Sequence, residues 1–327
     1  MNIGITYDLK TDYTEDHLPT ELLAELDKPE TINAISDALT SQGHAVEKIG
    51  HFKKLSRALL DGKRWNLVFN IAEGLYGIGR ESTVPCLLDA YQIPYVFSDP
   101  AVLAVCLHKG ITKQMIDYLK IPTAEFLIVN QLSDLEKLNI PFPLFAKPVA
   151  EGTGKGINSK SILHHFRECE ETVKRLLDLY QQPVLIEKFL SGREFTVGMI
   201  GTGKKAYCLG IMEIHFNEKI KEKIYSYQNK ADYELNVHYS LLKNEPSLIK
   251  KIETLSLNAW QGLGCRDGGR MDIRCDENHE PMFVEVNPLA GLHPEDSDLV
   301  IMSRLKNISY DSLIQRIVNS AAERIKK

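Results

Sequence analysis

The stretch GGRMDIRCDENHEPMFVEVNP, residues 268–288, has the pattern of a β-hairpin. Successive side chains of a strand point to opposite faces, and in both halves of this stretch apolar residues alternate with polar ones. In the register that a four-residue turn sets, Asp272 lies directly opposite Glu285, with Asn287 one diagonal step away. Like charges in that position destabilise a sheet, whereas a divalent cation reverses the sign of the interaction. Because two carboxylates and an amide oxygen are hard ligands that Mg²⁺ prefers, the hairpin favours a magnesium site.

The same pattern predicts the register of the hairpin and the burial of its side chains. The turn pairs Asp276 with Pro281. The side chains predicted to be buried are Met271, Ile273 and Cys275 in the first strand and Met282, Val284 and Val286 in the second. The side chains predicted on the opposite face are Arg270, Asp272 and Arg274, followed by Phe283, Glu285 and Asn287.

Length and composition exclude several classes of protein. The chain has 327 residues, enough for about two domains or three small ones. Its net charge is −5, so no global basic field favours nucleic acid or an anionic membrane as a partner. No apolar run approaches the ~20 residues that span a bilayer and the N-terminus does not resemble a signal peptide, so we expect a cytoplasmic protein. The six cysteines form no CxxC pair, which predicts reduced, mostly buried thiols.

The order of strands and helices changes along the chain. The first hundred residues alternate strands with helices, which predicts an α/β region with a parallel sheet. An acidic insertion at 10–27 interrupts it and is expected to be a loop with one short helix. After about residue 105 longer strands follow one another, which is typical of α+β structure with antiparallel pairing. We therefore expect three compact parts, at 1–104, 105–190 and 191–327.

A glycine-rich segment, FAKPVAEGTGKGI, follows the strand that ends at Lys147. Its candidate phosphate-binding residues are Gly152, Thr153, Gly154 and Lys155, with Gly156 next. Glycines leave backbone N–H groups free to approach phosphate oxygens, and the lysines supply charge. The segment matches neither a Walker A loop nor GxGxxG, so a flexible hairpin turn is the alternative.

A second segment, VLIEKFLSGREF, places the polar pair Glu187 and Lys188 in an otherwise apolar strand. A buried strand interrupted in this way suggests backbone groups presented to a planar ligand. The alternative is a strand at the surface between two domains.

Taken in order, these segments resemble a known family. The motifs are Lys109 after a helix, FAKP with the glycine-rich loop, LIEKFLSGREFTV, Lys230 in YSYQNKADY, GRMDI, and FVEVN. Their order is similar to that of the ATP-grasp ligases and, among these, of the D-alanine:D-alanine ligases. The resemblance runs from about Val68 to the C-terminus and includes EGLYGIGREST, IPYVFSD and HKGITK. It implies an ATP-grasp fold preceded by an N-terminal parallel-sheet domain.

The resemblance also implies where ATP and metal ions bind. ATP would lie between the central and C-terminal parts, with Lys109 and Lys147 on its phosphates and the loop at 152–156 covering them. The adenine would be held by Glu187 and the backbone of Lys188, Phe189 and Leu190. Glu194 would bind the ribose, and Lys230 would approach the γ-phosphate. The residues Asp272, Glu285 and Asn287 would hold two Mg²⁺ ions, which Mn²⁺ can replace.

The chemistry implied is amide formation. A substrate carboxylate attacks the γ-phosphate to give an acyl phosphate, and an amine then displaces phosphate. Arg270, helped by N–H groups near Gly291, would stabilise the tetrahedral oxyanion, although Arg270 could instead be a surface charge. Ser297 resembles a position that binds the carboxylate of the second substrate. Because the family often dimerises through its N-terminal part, a homodimer is expected.

The sequence departs from the family pattern where the amino acid substrates should bind. The first strand leads into the acidic insertion instead of a Gly-Gly turn and a serine-rich segment whose glutamate holds an ammonium group, a role that Glu21 or Glu25 could take over. Glu73 and Arg80 also replace the usual residues, and they could clamp a substrate or form a structural ion pair. The reaction is therefore better predicted than the substrates, which are small molecules that include an amino acid.

Two other functions remain open at this point. The protein could join an amino acid to a metabolite that is not a peptide, in a specialised pathway. It could instead be a nucleotide-binding regulatory protein that has lost catalysis, although a protein that only binds ATP does not need a group such as Arg270 to stabilise an oxyanion.

Overall fold

A computed structural model describes residues 1–16, 23, 25–216 and 237–325. Among these residues the strands are β1 (Asn2–Thr6), β2 (Ala45–Lys48), β3 (Leu67–Asn70), β4 (Phe126–Val129), β5 (Leu144–Pro148), β6 (Ile162–Leu163), β7 (Val184–Lys188), β8 (Glu194–Ile200), β9 (Tyr207–Phe216), β10 (Val237–Leu241), β11 (Gly268–Cys275) and β12 (Pro281–Asn287). The α-helices are α1 (Pro29–Ser41), α2 (Phe52–Leu60), α3 (Thr83–Ala90), α4 (Pro100–Leu107), α5 (Lys109–Tyr118), α6 (Phe166–Tyr180), α7 (Pro246–Leu263), α8 (Asp298–Leu305) and α9 (Tyr310–Ile325).

The N-terminal strands form a parallel sheet in the order β2-β1-β3, as the alternating pattern predicted. The central strand β1 is buried on both faces, with Ile3 and Ile5 on one face and Gly4 and Thr6 on the other. Such burial is typical of parallel strands, which have helices on both faces. In the core on one face, Leu39 of α1 and Ile317 of α9 pack with these strands. Within the acidic insertion, residues Lys10–Asp16 form a short 3₁₀ helix.

The middle of the chain forms an antiparallel sheet in the order β4-β7-β5-β6, called here the four-stranded sheet. Helix α6 packs against it through Cys169, Val173 and Leu176, which lie three or four residues apart and therefore on one helix face. This sheet forms one wall of the cleft described below.

The remaining strands form an antiparallel sheet in the order β10-β9-β8-β11-β12, called here the five-stranded sheet. The hairpin β11-β12 lies at its edge, and Asp272 is directly opposite Glu285 as predicted. The pairing at the turn was predicted wrongly, because Cys275 and not Asp276 pairs with Pro281. The register shifts by one residue between Asp272 and Ile273, so a bulge restores the predicted carboxylate pair.

The bulge also changes the burial predicted for β12. Phe283 was expected on the polar face but is completely buried in the core with Ile273. Met282 and Val284 were expected to be buried and are partly exposed. An extra residue on one strand reverses the alternation of faces, so the side chains before Glu285 point the opposite way from a regular strand.

The segment 100–118 forms two helices, α4 and α5, with a break between them. Helix α4 ends at Leu107, and His108 leaves the helical conformation with φ −86° and ψ 89°. The His108 side chain accepts a hydrogen bond from the backbone N–H of Ile111, at 3.2 Å, and so caps α5. This break sets the direction of the helix that begins with Lys109.

Two other sequence predictions can be compared with the structure. All six cysteines are free thiols, four of them buried. No helix in the described ranges is long and apolar enough to cross a membrane.

Candidate active site

A cleft lies between the four-stranded and five-stranded sheets, with about 750 Å³ of empty space, part of it open to solvent. The residues that line it are Phe145, Lys147, Gly154, Ile157, Glu187, Lys188, Phe189, Leu190, Glu194, Asp272, Ile273, Arg274, Val284 and Glu285. The cleft therefore brings together most of the residues that the sequence predicted to bind nucleotide and metal.

The floor of the cleft contains a buried group of three charges. The Glu187 carboxylate accepts hydrogen bonds from Lys147, at 2.8 Å, and from Lys113, at 2.6 Å. Burial raises the pKa of Glu187, but the two ammonium groups outweigh it and lower this pKa to about 2. Burial lowers the pKa of Lys147, and the carboxylates of Glu187, Glu285 and Asp272 more than compensate, so it is raised. Lys147 therefore carries charge here, whereas burial lowers the pKa of Lys113 and the Glu187 carboxylate compensates only in part.

Lys113 was missed by sequence reasoning. Its side chain is completely buried, and its ammonium lies 5.5 Å from the centre of the Phe126 ring. The signal was present, because Lys109 and Lys113 are four residues apart in HKGITK and fall on one helix face. The pattern did not show that Lys113 would contact Glu187, which is far away in sequence.

The opposite end of the cleft is aromatic. Phe145 and Phe189 stack with their ring centres 6.3 Å apart and an interplanar angle of 27°. The Arg274 guanidinium lies 5.2 Å from the Phe189 ring centre and donates to Glu194 at 3.2 Å. This end offers apolar faces with one carboxylate, which suits a planar base and a sugar.

Some backbone N–H groups at 188–190 already form hydrogen bonds with neighbouring backbone carbonyls. The N–H of Lys188 donates to the carbonyl of Glu125, at 2.9 Å, and the N–H of Phe189 donates to the carbonyl of Pro143, at 3.1 Å. The Lys188 ammonium donates to the Pro141 carbonyl at 3.1 Å. The backbone amides of Lys188 and Phe189 are therefore less available to a ligand than predicted.

The carboxylates of the hairpin are surrounded by cations. The Lys109 ammonium lies 3.6 Å from the Glu285 carboxylate, and the Lys147 ammonium lies 3.9 Å from it. Arg270 donates to Asp272 at 3.0 Å and to Asp298 at 2.9 Å. These contacts compensate the repulsion between Asp272 and Glu285.

The chemistry of this donor set fits a hard divalent cation. The Asp272 carboxylate also accepts from the Thr196 hydroxyl, at 3.0 Å, which fixes its orientation. The side-chain oxygen of Asn287 accepts from the N–H of Leu289, at 3.2 Å, and keeps a second lone pair. In the described part of the chain no three His, Cys, Asp or Glu side chains form a metal-binding group. A third ligand would thus be the Asn287 amide or a phosphate of the substrate.

The glycine-rich loop has the backbone conformation that its glycines permit. Thr153, Gly154 and Gly156 have φ values of +53°, +71° and +76°. A side chain at Gly156 would also collide with Pro148, whose nearest atom would lie 2.8 Å from an added Cβ. The tight fold of the loop brings Gly154 to the wall of the cleft.

Glu25, from the acidic insertion, holds this loop. Its carboxylate accepts from the N–H of Gly152, at 2.5 Å, from Lys155, at 3.0 Å, and from Arg80, at 2.8 Å. Burial raises the pKa of Glu25, but the cations of Arg80 and Lys155 outweigh it and lower this pKa. Lys155 is also paired with Glu151. Glu25 thus connects the insertion to the loop that borders the cleft.

Arg80 is a structural partner of Glu25, and its side chain is only 7% exposed. It also donates to the Ala150 carbonyl, at 2.8 Å. Of the two sequence-based alternatives, an ion pair fits Arg80, but its partner is Glu25 and not Glu73.

Gly291 and Ser297, which were also predicted, are not among the residues that line the cleft. A side chain added at Gly291 would meet the Ser297 hydroxyl at 3.0 Å, so these two residues are neighbours. The Ser297 hydroxyl accepts from the N–H of His293, at 2.8 Å. Lys230 and Glu21 lie outside the described residues.

Comparisons with known proteins agree on one family. The model of a family described as D-ala D-ala ligase C-terminus matches residues 114–319. A D-alanine–D-alanine ligase of Aquifex aeolicus is 32% identical over 291 residues, which cover 88% of this chain and 93% of that protein.

Solved structures show the same fold. The D-alanine–D-alanine ligase of Bacillus anthracis complexed with ATP has a TM-score of 0.76 and 21% identity, over 100% of this chain and 98% of that one. The VanG D-Ala:D-Ser ligase of Enterococcus faecalis has a TM-score of 0.74 and 16% identity, over 98% of this chain and 100% of that one.

Proposed function

The chain belongs to the D-alanine–D-alanine ligase family, and from this premise we propose that it joins the carboxylate of an amino acid to the amine of a second substrate. It is an ATP-dependent ligase with the ATP-grasp fold and forms a peptide bond. The proposal concerns the substrates, the metal and the residue roles. The observation that carries it is the cleft in which Lys147, Asp272 and Glu285 come together.

ATP is proposed to lie in this cleft with its base at the aromatic end. Phe145, Phe189 and the backbone of Leu190 would contact adenine, and Glu194 would bind the ribose. Lys109 and Lys147 would then contact the phosphates at the other end, with the loop residues Gly152, Thr153, Gly154 and Lys155 above them. Glu187, which is held by two lysines, would orient Lys147, and its predicted contact with adenine stays a prediction.

Asp272, Glu285 and Asn287 would hold Mg²⁺, as two ions that Mn²⁺ can replace. When bound there, Mg²⁺ supplies charge neutralisation to the β- and γ-phosphates. The fit rests on the oxygen-only donor set and on the register that places the two carboxylates opposite each other.

The residues of the chain would divide the reaction between them. Lys147 and Lys109 stabilise charge on the transferred phosphoryl group while the donor carboxylate attacks it. Arg270, which is 8% exposed near the start of β11, would stabilise the oxyanion when the amine attacks the acyl phosphate, with backbone N–H groups near Gly291. Ser297 would bind the carboxylate of the second substrate, and Lys230 would approach the γ-phosphate.

D-Alanine is a candidate for both substrates because the related Aquifex protein is named for it. A different second substrate is also supported, because a protein of the same fold is named a D-Ala:D-Ser ligase. Glu25 and Arg80 would act near the donor amino acid by holding the glycine-rich loop closed.

The organisation of the whole protein is part of the proposal. We divide it into 1–104, 105–190 and 191–327, supported by the fact that each described sheet takes its strands from one of these parts. We also propose a cytoplasmic homodimer. Light scattering at micromolar concentration tests the homodimer, and a monomeric mass would refute it.

Oxygen transfer tests the proposed acyl phosphate. With Mg·ATP and D-alanine labelled with ¹⁸O in its carboxylate, one labelled oxygen should appear in the released phosphate, because the carboxylate oxygen becomes the bridging oxygen. Phosphate released without label would refute carboxylate activation. An unlabelled amino acid with ATP labelled at the γ-phosphate is the control for exchange with water.

A further inference from the structure

The side chain of Arg274 lines the cleft, but it has no part in the mechanism above. Arg274 lies in β11 directly opposite Glu194 of β8, so the two side chains point to the same face of the five-stranded sheet. The guanidinium donates to the Glu194 carboxylate at 3.2 Å. Only 12% of the Arg274 side chain and 14% of the Glu194 side chain are exposed. The ion pair therefore belongs to the cleft and not to the outer surface of the protein.

An aromatic ring holds the same guanidinium from a second direction. The central carbon of the Arg274 guanidinium lies 5.2 Å from the centre of the Phe189 ring. A cation at this distance over the face of a ring is attracted by its electrons. Phe189 is itself held by stacking on Phe145. Two contacts of different kinds thus fix the orientation of Arg274, and through it the orientation of the Glu194 carboxylate.

The strand that carries Arg274 also carries a residue of the proposed metal site. Asp272 and Arg274 are alternate residues of β11 and share a face, which places their Cα atoms about 7 Å apart. Their partners on β8 are Thr196 and Glu194, in one continuous antiparallel pairing. The same two strands therefore set the distance between the carboxylate proposed to bind Mg²⁺ and the carboxylate proposed to bind the ribose.

The chemistry of the pair suits a sugar with two neighbouring hydroxyl groups. A carboxylate accepts about four hydrogen bonds, so Glu194 can hold the Arg274 guanidinium and a ribose at the same time. Hydrogen bonds to a charged acceptor are stronger than those between neutral groups, and they require a defined geometry. Without its cation, a largely buried carboxylate would turn toward another donor. Recognition of the two hydroxyls by Glu194 thus depends on Arg274.

We propose that Arg274 is a positioning residue that makes the cleft selective for ribonucleotides, because it holds the Glu194 carboxylate where both ribose hydroxyls can donate to it. The inference rests on the proposed function, which places the ribose at Glu194, and it adds a residue and a selectivity to that function. A nucleotide that lacks the 2′- or the 3′-hydroxyl loses one hydrogen bond to a charged group. That loss corresponds to roughly 10- to 100-fold in affinity.

Binding of ATP and of its deoxy analogues tests this selectivity. We would measure Kd by calorimetry for the magnesium complexes of ATP, 2′-deoxyATP and 3′-deoxyATP, without any amino acid. The variants are Arg274→Met, which removes the cation at similar side-chain length, and Arg57→Met as the matched control. Arg57 forms an exposed ion pair with Asp61, so its loss should leave binding and stability near the wild type.

We expect the wild type and Arg57→Met to bind ATP roughly 10- to 100-fold more tightly than either deoxy analogue. Arg274→Met should weaken ATP binding most, so that the three Kd values come to lie within about twofold of each other. Equal Kd values for the wild type, or a wild-type preference kept in Arg274→Met, would overturn the inference and leave the proposed function standing. No binding of ATP by the wild type would refute the proposed function, and this inference with it.

The ratio of the Kd values also separates positioning from a structural role. If Arg274 only stabilised the fold, Arg274→Met would lower Tm and weaken the binding of all three nucleotides alike. The unchanged ratio would then overturn the inference. Adding Glu194→Gln to Arg274→Met should have little further effect on the ratio, because the interaction is already lost. If Arg274→Met does not fold, Arg274→Gln replaces it with the same expectation, since it removes the charge and keeps a polar side chain.

Discussion

The carboxylate pair of the hairpin gives the most direct prediction for a single residue. Glu285→Gln removes one of two facing negative charges and the charge that Lys109 and Lys147 share. We expect phosphate release to fall about 100-fold or more with the fold intact, because the cation loses a ligand while repulsion from Asp272 is relieved. The readouts are phosphate release and Tm, with Glu280→Gln in the same hairpin as control. Normal turnover would refute the metal assignment.

A second prediction at this scale concerns Lys113 as a positioning residue. Lys113→Met leaves Glu187 with one cation, so Glu187 should bind Lys147 more tightly and withdraw it from the phosphates. We expect a loss of about 3–5 kcal/mol in the free energy of unfolding, as for a broken buried ion pair, and a higher KM for ATP.

The control for Lys113 is the double variant Lys113→Met with Glu187→Gln. It removes both charges, so KM for ATP and stability should recover much of what the single variant loses. Lys113→Arg should keep both near the wild type. If the double variant binds ATP no better than Lys113→Met alone, Lys113 does not act through Glu187.

The hairpin shows, at the scale of one element, what a sequence pattern can predict. The opposition of Asp272 and Glu285 was predicted correctly, although the turn pairing that led to it was not. A bulge adds one residue at Val284, and the alternation MFVEVN gives no sign of it. The bulge turns Phe283 toward the core in place of Val284. This arrangement is favoured because the larger Phe283 side chain gains more free energy from burial than Val284.

The glycine-rich loop gives a prediction at the same scale. An added Cβ at Gly152 would collide with a Glu25 carboxylate oxygen, so Gly152→Ala should break the contact between the insertion and the loop. We expect KM for ATP to rise several-fold, about 1 kcal/mol in binding free energy, while the overall fold persists. ATP titration and limited proteolysis of the loop measure the two effects.

A double-mutant cycle provides the control for this loop. In a Glu25→Ala background the carboxylate oxygen that Gly152→Ala meets is gone, so the second substitution should have little further effect. Fully additive effects would show that Gly152 acts on the nucleotide without Glu25.

At the scale of the whole molecule, Asp267 connects distant parts of the chain. Its carboxylate is completely buried and accepts from the N–H of Phe97, at 2.8 Å, from the Ser320 hydroxyl, at 2.8 Å, and from Arg324 of α9. Asp267→Asn should lower the free energy of unfolding by about 3–5 kcal/mol, because it leaves Arg324 without its counter-charge. Urea denaturation measures this.

The control for Asp267 is Asp61→Asn, in an exposed ion pair with Arg57 at 3.7 Å. We expect it to change stability by less than about 0.5 kcal/mol. Equal effects of the two variants would show that Asp267 does not hold the parts of the chain together.

Sequence reasoning predicted the large-scale order of the molecule better than its long-range contacts. The change from alternating to consecutive strands predicted a parallel and then antiparallel sheets, because periodicity and element order are local properties. Contacts such as Arg324 with Asp267 or Glu25 with Gly152 join residues far apart in sequence. They depend on how the parts pack, and no local pattern encodes that.

The measurement that tests the central claim most directly is release of ADP and phosphate from Mg·ATP, with all D- and L-amino acids singly and in pairs. Mass spectrometry would identify the products. We predict equal amounts of ADP, phosphate and an amide, with release that requires an amino acid, and D-alanine is the first candidate. Tight nucleotide binding without release in any mixture would contradict the account and favour a nucleotide-binding protein that has lost catalysis.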